Sequence, residues 1–172
     1  VLEANNEAEQ KERLSLLFDL NRSRNLTTTA IGKLQDLQTN QGGWSWFKGF
    51  NPSVSITQYI LYGFNQLKEL KAVEFSDDIL SIQEKAVFYI DTEAARRFET
   101  LKKYNKDWKS IKTISVTDLE YLYVRSGYTA YPLDKEGKEM TDFYLSVIEK
   151  NWTQYGLYER SLIAVLMKRE GK

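Results

Sequence analysis

The stretch from Gln38 to Tyr59, QTNQGGWSWFKGFNPSVSITQY, sets the tightest limit on what this chain can fold into. It joins two runs whose apolar residues recur at helical spacing. Gly42-Gly43 breaks the first run, Asn51-Pro52 opens the second, and Trp44, Trp46, Phe47 and Phe50 crowd the connection. A large apolar side chain left in water forgoes on the order of 1.5–3 kcal/mol of burial, so solvated connectors normally avoid such residues. The loop must therefore tuck back onto the ends of its own helices or present a contact surface. Packing is the first expectation, because tryptophan is mostly buried and its indole N–H finds a partner at a helix end. A protein-contact patch comes second, and stacking on carbohydrate third.

The rest of the chain reads as helices. Only two prolines and nine glycines interrupt long Glu/Lys/Leu-rich runs. A first helix is expected over about Glu3 to Leu20, with Leu14, Leu17 and Phe18 as its stripe, and a second over Leu26 to Gln38, with Asn21 to Asn25 as the turn between them. The third begins with Asn51 as cap and Pro52 in the first position, and carries Ile56, Tyr59, Ile60, Phe64 and Leu67. The fourth follows Ser76-Asp77-Asp78, with a stripe of Ile79, Ile82, Ala86, Ile90, Ala94, Phe98 and Leu101. A Lys-rich connection from Asn105 to Ile114 holds Trp108. Thr117 and Glu120 fit a capping box opening a fifth helix that ends near Gly127. A Tyr-rich loop with Pro132 leads to a sixth helix over Glu136 to Gln154. Gly156 separates it from a seventh over Leu157 to Arg169, which Gly171 is placed to terminate. The expected class is all-α, built from helical hairpins in a single helical domain spanning residues 1–172. The segment KTISVTD is the one candidate strand.

Histidine and cysteine are absent, which removes the usual zinc ligands, Cys-His and Ser-His pairs and any disulfide. No metal site, cofactor or catalytic residue is expected. Asp77-Asp78 reads as helix capping rather than an acid pair, and Glu93 as a solvated or salt-bridged carboxylate. Gly42-Gly43 lacks the further glycines and lysine that a phosphate cradle needs. The Tyr cluster at Tyr121, Tyr123, Tyr128 and Tyr131 reads as core or loop packing. The formal net charge is zero, with Lys and Arg interleaved among Asp and Glu, which argues against nucleic acid as a partner. No apolar run reaches membrane-spanning length. The start at Val1, with no leader-like apolar core, is read as that of an excised or processed piece.

Two strings carry a family likeness. Gln38-x-x-x-Gly42-x-Trp44 after a helix resembles the glutamine-tryptophan motif of the terpenoid cyclase and protein prenyltransferase fold, an α/α toroid of paired inner and outer helices. The longer string LxxLQxxxGGWxWFxG…ITQYILxGFxxL, from Leu34 to Leu67, is similar to bacterial α2-macroglobulin-like proteins, with the closest likeness to those of the Bacteroidetes type. The N-terminal VLEANNEAEQKERLSLLFDLN and C-terminal LYERSLIAVLMKREGK share that likeness. The resemblance implies part of the thioester-domain-like helical toroid of a multidomain, broad-spectrum protease trap of the periplasm or cell envelope. Its partners would be proteases, through the whole protein, and other domains of the same chain. The family's Cys-x-Glu-Gln thioester motif is not in this sequence, so no reactive residue transfers. Gln38, Gly42, Gly43 and Trp44 transfer as a structural motif, and Trp46, Phe47 and Phe50 stand as a possible contact surface. Two alternatives remain: an enzyme on an α/α toroid, either cyclase-like or polysaccharide-active, and a carbohydrate- or protein-binding module.

Overall fold

A computed structural model describes residues 2–71 and 74–171. Among them are six α-helices: α1 (Leu2–Leu37), α2 (Val54–Glu69), α3 (Asp77–Tyr104), α4 (Val116–Arg125), α5 (Lys135–Asn151) and α6 (Leu157–Arg169). Short 3₁₀ turns lie at Trp108–Ser110 and Trp152–Gln154. No strand occurs among the described residues: the first half of KTISVTD leads into α4 and its second half, from Val116, is the first turn of that helix. The Ile114 amide donates to the Tyr155 hydroxyl at 2.9 Å. The chain divides into two compact units, one ending at Leu37 and the other beginning at Gln38.

The first unit corrects the sequence reading. The expected turn at Asn21 to Asn25 does not form, and α1 runs unbroken for 36 residues. The segment holds neither Gly nor Pro, and Asn and Ser cost only some tenths of a kcal/mol in a helix interior, too little to force a break. Leu14, Leu16, Leu17, Phe18 and Leu26 are exposed along α1.

The second unit contains every buried hydrophobic residue described. Within it α2 contacts α3 and α4, α4 contacts α3 and α6, and α5 contacts α3 and α6. The even-numbered helices thus touch in succession, while α3 and α5 pair alongside them. Leu61, Ile90, Leu119 and Ile148 are completely buried where these helices meet. Beside them Phe98, Trp108, Phe143 and Tyr144 form an aromatic cluster with ring centroids 5.0–5.9 Å apart, three of its pairs edge-to-face and two tilted, and the edge-to-face pairs suit the ring quadrupoles.

Two helix starts also differ from expectation. Ser53, rather than Asn51, caps α2, its hydroxyl facing the Ile56 amide at 3.5 Å. Pro52 therefore precedes the cap. Ser115, rather than Thr117, caps α4: it accepts from the Asp118 amide at 3.1 Å and donates to the Asp118 carboxylate at 2.7 Å. The acid at the third helical position thus answers the cap residue, but two residues upstream of the expected frame. At the other end of the unit the forecast stands. Gly171 follows α6 with φ +73 and donates to the Lys168 carbonyl at 3.3 Å.

Candidate functional site

The junction between Gln38 and α2 is built around one side-chain amide. Gln38 Nε2 donates to the Gly42 carbonyl at 2.7 Å and to the Ile82 carbonyl of α3 at 2.8 Å. One proton thus closes the turn and the other ties it to the next helix pair. Gly42 N donates to Thr39 O, and Thr39 N and Oγ1 both donate to Gly43 O, at 2.8–2.9 Å. Gly42 has φ +91, and a Cβ there would lie 2.3 Å from the Lys85 carbonyl oxygen. At Gly43 a Cβ would sit 2.7 Å from the Tyr89 ring. Both glycines are therefore required by close approach to α3, the first also by its left-handed backbone.

Trp44 is 2% exposed. Its amide donates to Thr57 Oγ1 at 3.0 Å, and its carbonyl accepts from Ser53 N at 2.8 Å. Thr57 Oγ1 in turn donates to Ser53 O, and the Tyr89 hydroxyl donates to Pro52 O at 2.9 Å. Gln38 and Trp44 also pair as an isolated antiparallel bridge. These bonds lock the Gln38–Trp44 turn to the start of α2.

The other three aromatics point outward. Trp46 is 70% exposed, with Phe47 and Phe50 similarly open, and the two Phe rings meet edge-on with centroids 5.8 Å apart. The single sequence feature thus splits in two. Gln38, half-buried, and the buried Gly42, Gly43 and Trp44 form a structural knot, while Trp46, Phe47 and Phe50 are exposed, the two Phe rings in contact.

The carboxylates considered as catalytic lie elsewhere. Asp77 and Asp78 are exposed in the first turn of α3, where Ser76 makes no side-chain cap bond. Glu93 pairs with Arg96 at 2.6 Å. Of the Tyr cluster, Tyr121 and Tyr128 are buried and Tyr123 and Tyr131 half-buried.

Two arrangements had no clear signal in the sequence. The first is a polar network inside the unit. Arg125 Nε donates to both Asp91 oxygens at 2.9 and 3.2 Å, Tyr121 Oη donates to Asp91 Oδ1 at 2.8 Å, and the remaining Arg125 nitrogens grip the Tyr128 and Tyr131 carbonyls. Burial pushes the Asp91 carboxyl above its ordinary range, against the opposing pull of Arg125 and Tyr121. Burial and the Asp91 charge push the Tyr121 hydroxyl far upward. The carboxylate is fully engaged, so the network acts as a brace for the Tyr-rich loop.

The second is a cleft of about 390 Å³ among α2, α4 and α6, lined by Gln58, Tyr59, Tyr62, Glu120, Tyr123 and Tyr158 with their neighbours. Its residues are spread over three helices, each on a different stripe, so no local spacing announced it. A smaller recess of about 130 Å³ lies beside Glu99, Glu136 and Glu139, but Lys102 enters it and pairs with Glu99. No group of acidic residues fit to hold a metal ion occurs among the described residues. No helix described is long and apolar enough to cross a membrane. Comparison with protein families, curated proteins and solved structures finds no match.

Proposed function

We propose that the chain is a non-catalytic helical module of a bacterial α2-macroglobulin-like protease trap, contributing a sector of an α/α toroid. The observation that carries this reading is the Gln38–Trp44 junction, where one glutamine amide bonds its own turn and the neighbouring helix at Ile82. That is the role the glutamine-tryptophan motif implies: joining successive helical hairpins around a ring. The succession of contacts from α2 to α4 to α6, with α3 and α5 paired alongside, suits such a sector. In the parent protein the module would work in the periplasm or cell envelope. Proteases would be met through the whole protein, and neighbouring domains of the same chain through the module. Trp46, Phe47 and Phe50 are the surface best suited to that second contact, since exposed aromatics concentrate binding energy.

The test is to incubate the full-length parent with an endoprotease of unrelated specificity. The expected result is limited cleavage of the parent, with the protease then shielded from large substrates while still cleaving small ones. A protease that retains full activity on large substrates overturns the reading. A protein-binding module outside any trap is the second reading, favoured by the exposure of Trp46. Binding of partners by the isolated 172-residue chain that is lost on Trp46→Ala, together with an unshielded protease, selects it.

A further inference from the structure

The cleft among α2, α4 and α6 is independent of the trap reading, and its walls have a consistent chemistry. Tyr59, Tyr62, Tyr123 and Tyr158 supply aromatic surface, and no Lys or Arg is among the described residues lining it, although the Arg169 guanidinium lies against Tyr123. Tyr62 and Tyr123 lie with ring centroids 6.0 Å apart. The formal charge in the wall is the Glu120 carboxylate. Its Oε1 accepts from the Tyr158 hydroxyl at 2.9 Å, which orients the group at the rim. Glu159 adds to the negative field at Tyr158. Gln58 is 3% exposed, and its Nε2 donates to the Thr117 carbonyl at 3.2 Å, which fixes the orientation of the amide. Gln58 Oε1 is then a buried acceptor with no partner, an unfavourable state unless something donates to it.

Ring faces and a carboxylate both favour a cationic donor. Tyr faces attract cations through the ring quadrupole, and a guanidinium does so best because it is flat, weakly hydrated and donates from its edge while stacking. The protein already holds one such group this way. The Arg169 guanidinium lies 5.1 Å from the centroid of Tyr123, bonded to Ser126 Oγ and Glu69. A cleft of this volume falls in the range that holds a small ligand or a single large side chain.

We propose that the α2–α4–α6 cleft binds the guanidinium of an arginine side chain from a partner polypeptide, stacked on the tyrosines and paired with Glu120. The negative wall selects this occupant over a neutral sugar, which would gain from the rings but nothing from the carboxylate's charge.

The test uses the whole 172-residue chain and a terminally blocked Gly-Arg-Gly peptide, followed by calorimetry and by amide chemical shifts. Controls are the same peptide carrying citrulline, the neutral isostere, and a neutral disaccharide. Saturable arginine binding is expected, with shifts centred on Tyr59, Tyr62, Glu120 and Tyr158. Citrulline should bind about tenfold more weakly or worse, the scale of losing one charge-assisted contact. Glu120→Gln should remove most of the difference between the two peptides, and Tyr59→Ala, at a 74% exposed residue whose loss leaves the core intact, should weaken arginine binding by roughly fivefold or more. Equal affinity for citrulline, preference for the disaccharide, no arginine binding up to ~10 mM, or an unaltered Glu120→Gln variant each overturns the proposal. The protease-shielding experiment is unaffected by any of these outcomes.

Discussion

Gln38, Gly42 and Trp44 are separated by four and two positions in the chain, and that short fixed spacing is why the sequence singles them out together. What the spacing did not give is the third party, Ile82 of α3, which shares the Gln38 amide. Trp44→Ala should destabilise the second unit by about 3–5 kcal/mol, as for other buried aromatic truncations. Gly42→Ala should cost roughly 3 kcal/mol or more, because it combines a left-handed backbone with a backbone clash at Lys85. Urea unfolding of each variant measures both. The Asp91–Arg125 brace stayed illegible because its members lie 34 positions apart and each alone reads as a surface charge. Arg125→Met should cost roughly 3 kcal/mol, since it strands a largely buried carboxylate. The pH dependence at Asp91 has an unusual sign. The folded carboxyl holds its proton to a higher pH than the ordinary 3.8, so in the window just above that value the native state binds more protons than the unfolded chain. Its contribution is therefore full at low pH and falls as pH rises through the folded value. Stability of the parent chain minus that of Asp91→Asn should decline with pH across that window and then level off, as read from denaturation midpoints from pH 3 upward.

Helices are where periodicity served best and boundaries worst. The stripe of α3 emerged with Ile79, Ile82, Ala86, Ile90, Ala94 and Phe98 buried and Leu101, its last expected member, half-buried, because three-four spacing is a property of the element as a whole. Ends depend on a single hydrogen bond, and several residues compete to make it. At α4, Thr117 looked the part, but Ser115 takes the cap because Asp118 can answer it while also holding Arg97 at 2.7 Å. Ser115→Ala should therefore destabilise by ~1–2 kcal/mol and Thr117→Ala by well under half that. Ser76→Ala, at a helix start without a side-chain cap bond, should be close to neutral. The three changes form one series by chemical denaturation, and equal losses at Ser115 and Ser76 would contradict the assignment of caps. The continuity of α1 has the converse cause: the polar run from Asn21 to Asn25 suggests a turn, yet none of its residues breaks a helix.

At the scale of the molecule, the described core lies wholly in the second unit, so residues from Gln38 onward should retain near-UV circular dichroism and a cooperative urea transition when 1–37 are removed. Loss of both would show that the core depends on α1. The same core holds Tyr121, Tyr128 and Tyr144, whose hydroxyls burial drives far above the ordinary 10.0. These groups keep their protons in the folded state where the unfolded chain would release them, so their contribution is intact below pH 10 and is lost progressively above it. Absorbance titration should show the exposed tyrosines ionising first and these three only together with unfolding. The all-helical class was legible from the run lengths between glycines and prolines. The tyrosine cleft was not, because helix-to-helix adjacency decides which stripes face each other and no local pattern encodes it.

Trp44 and Trp46 stand two residues apart with opposite surroundings, one buried and bonded to Thr57 and the other in water. This makes the loop its own optical reporter. In a chain whose only other tryptophans, Trp108 and Trp152, are replaced by Phe, two emitters remain: a blue-shifted one inaccessible to iodide and a red-shifted one that iodide quenches freely. Loosening of the helix junction would appear in the first, and anything docking on the aromatic surface in the second, so internal strain and external contact can be followed separately within a single turn of chain.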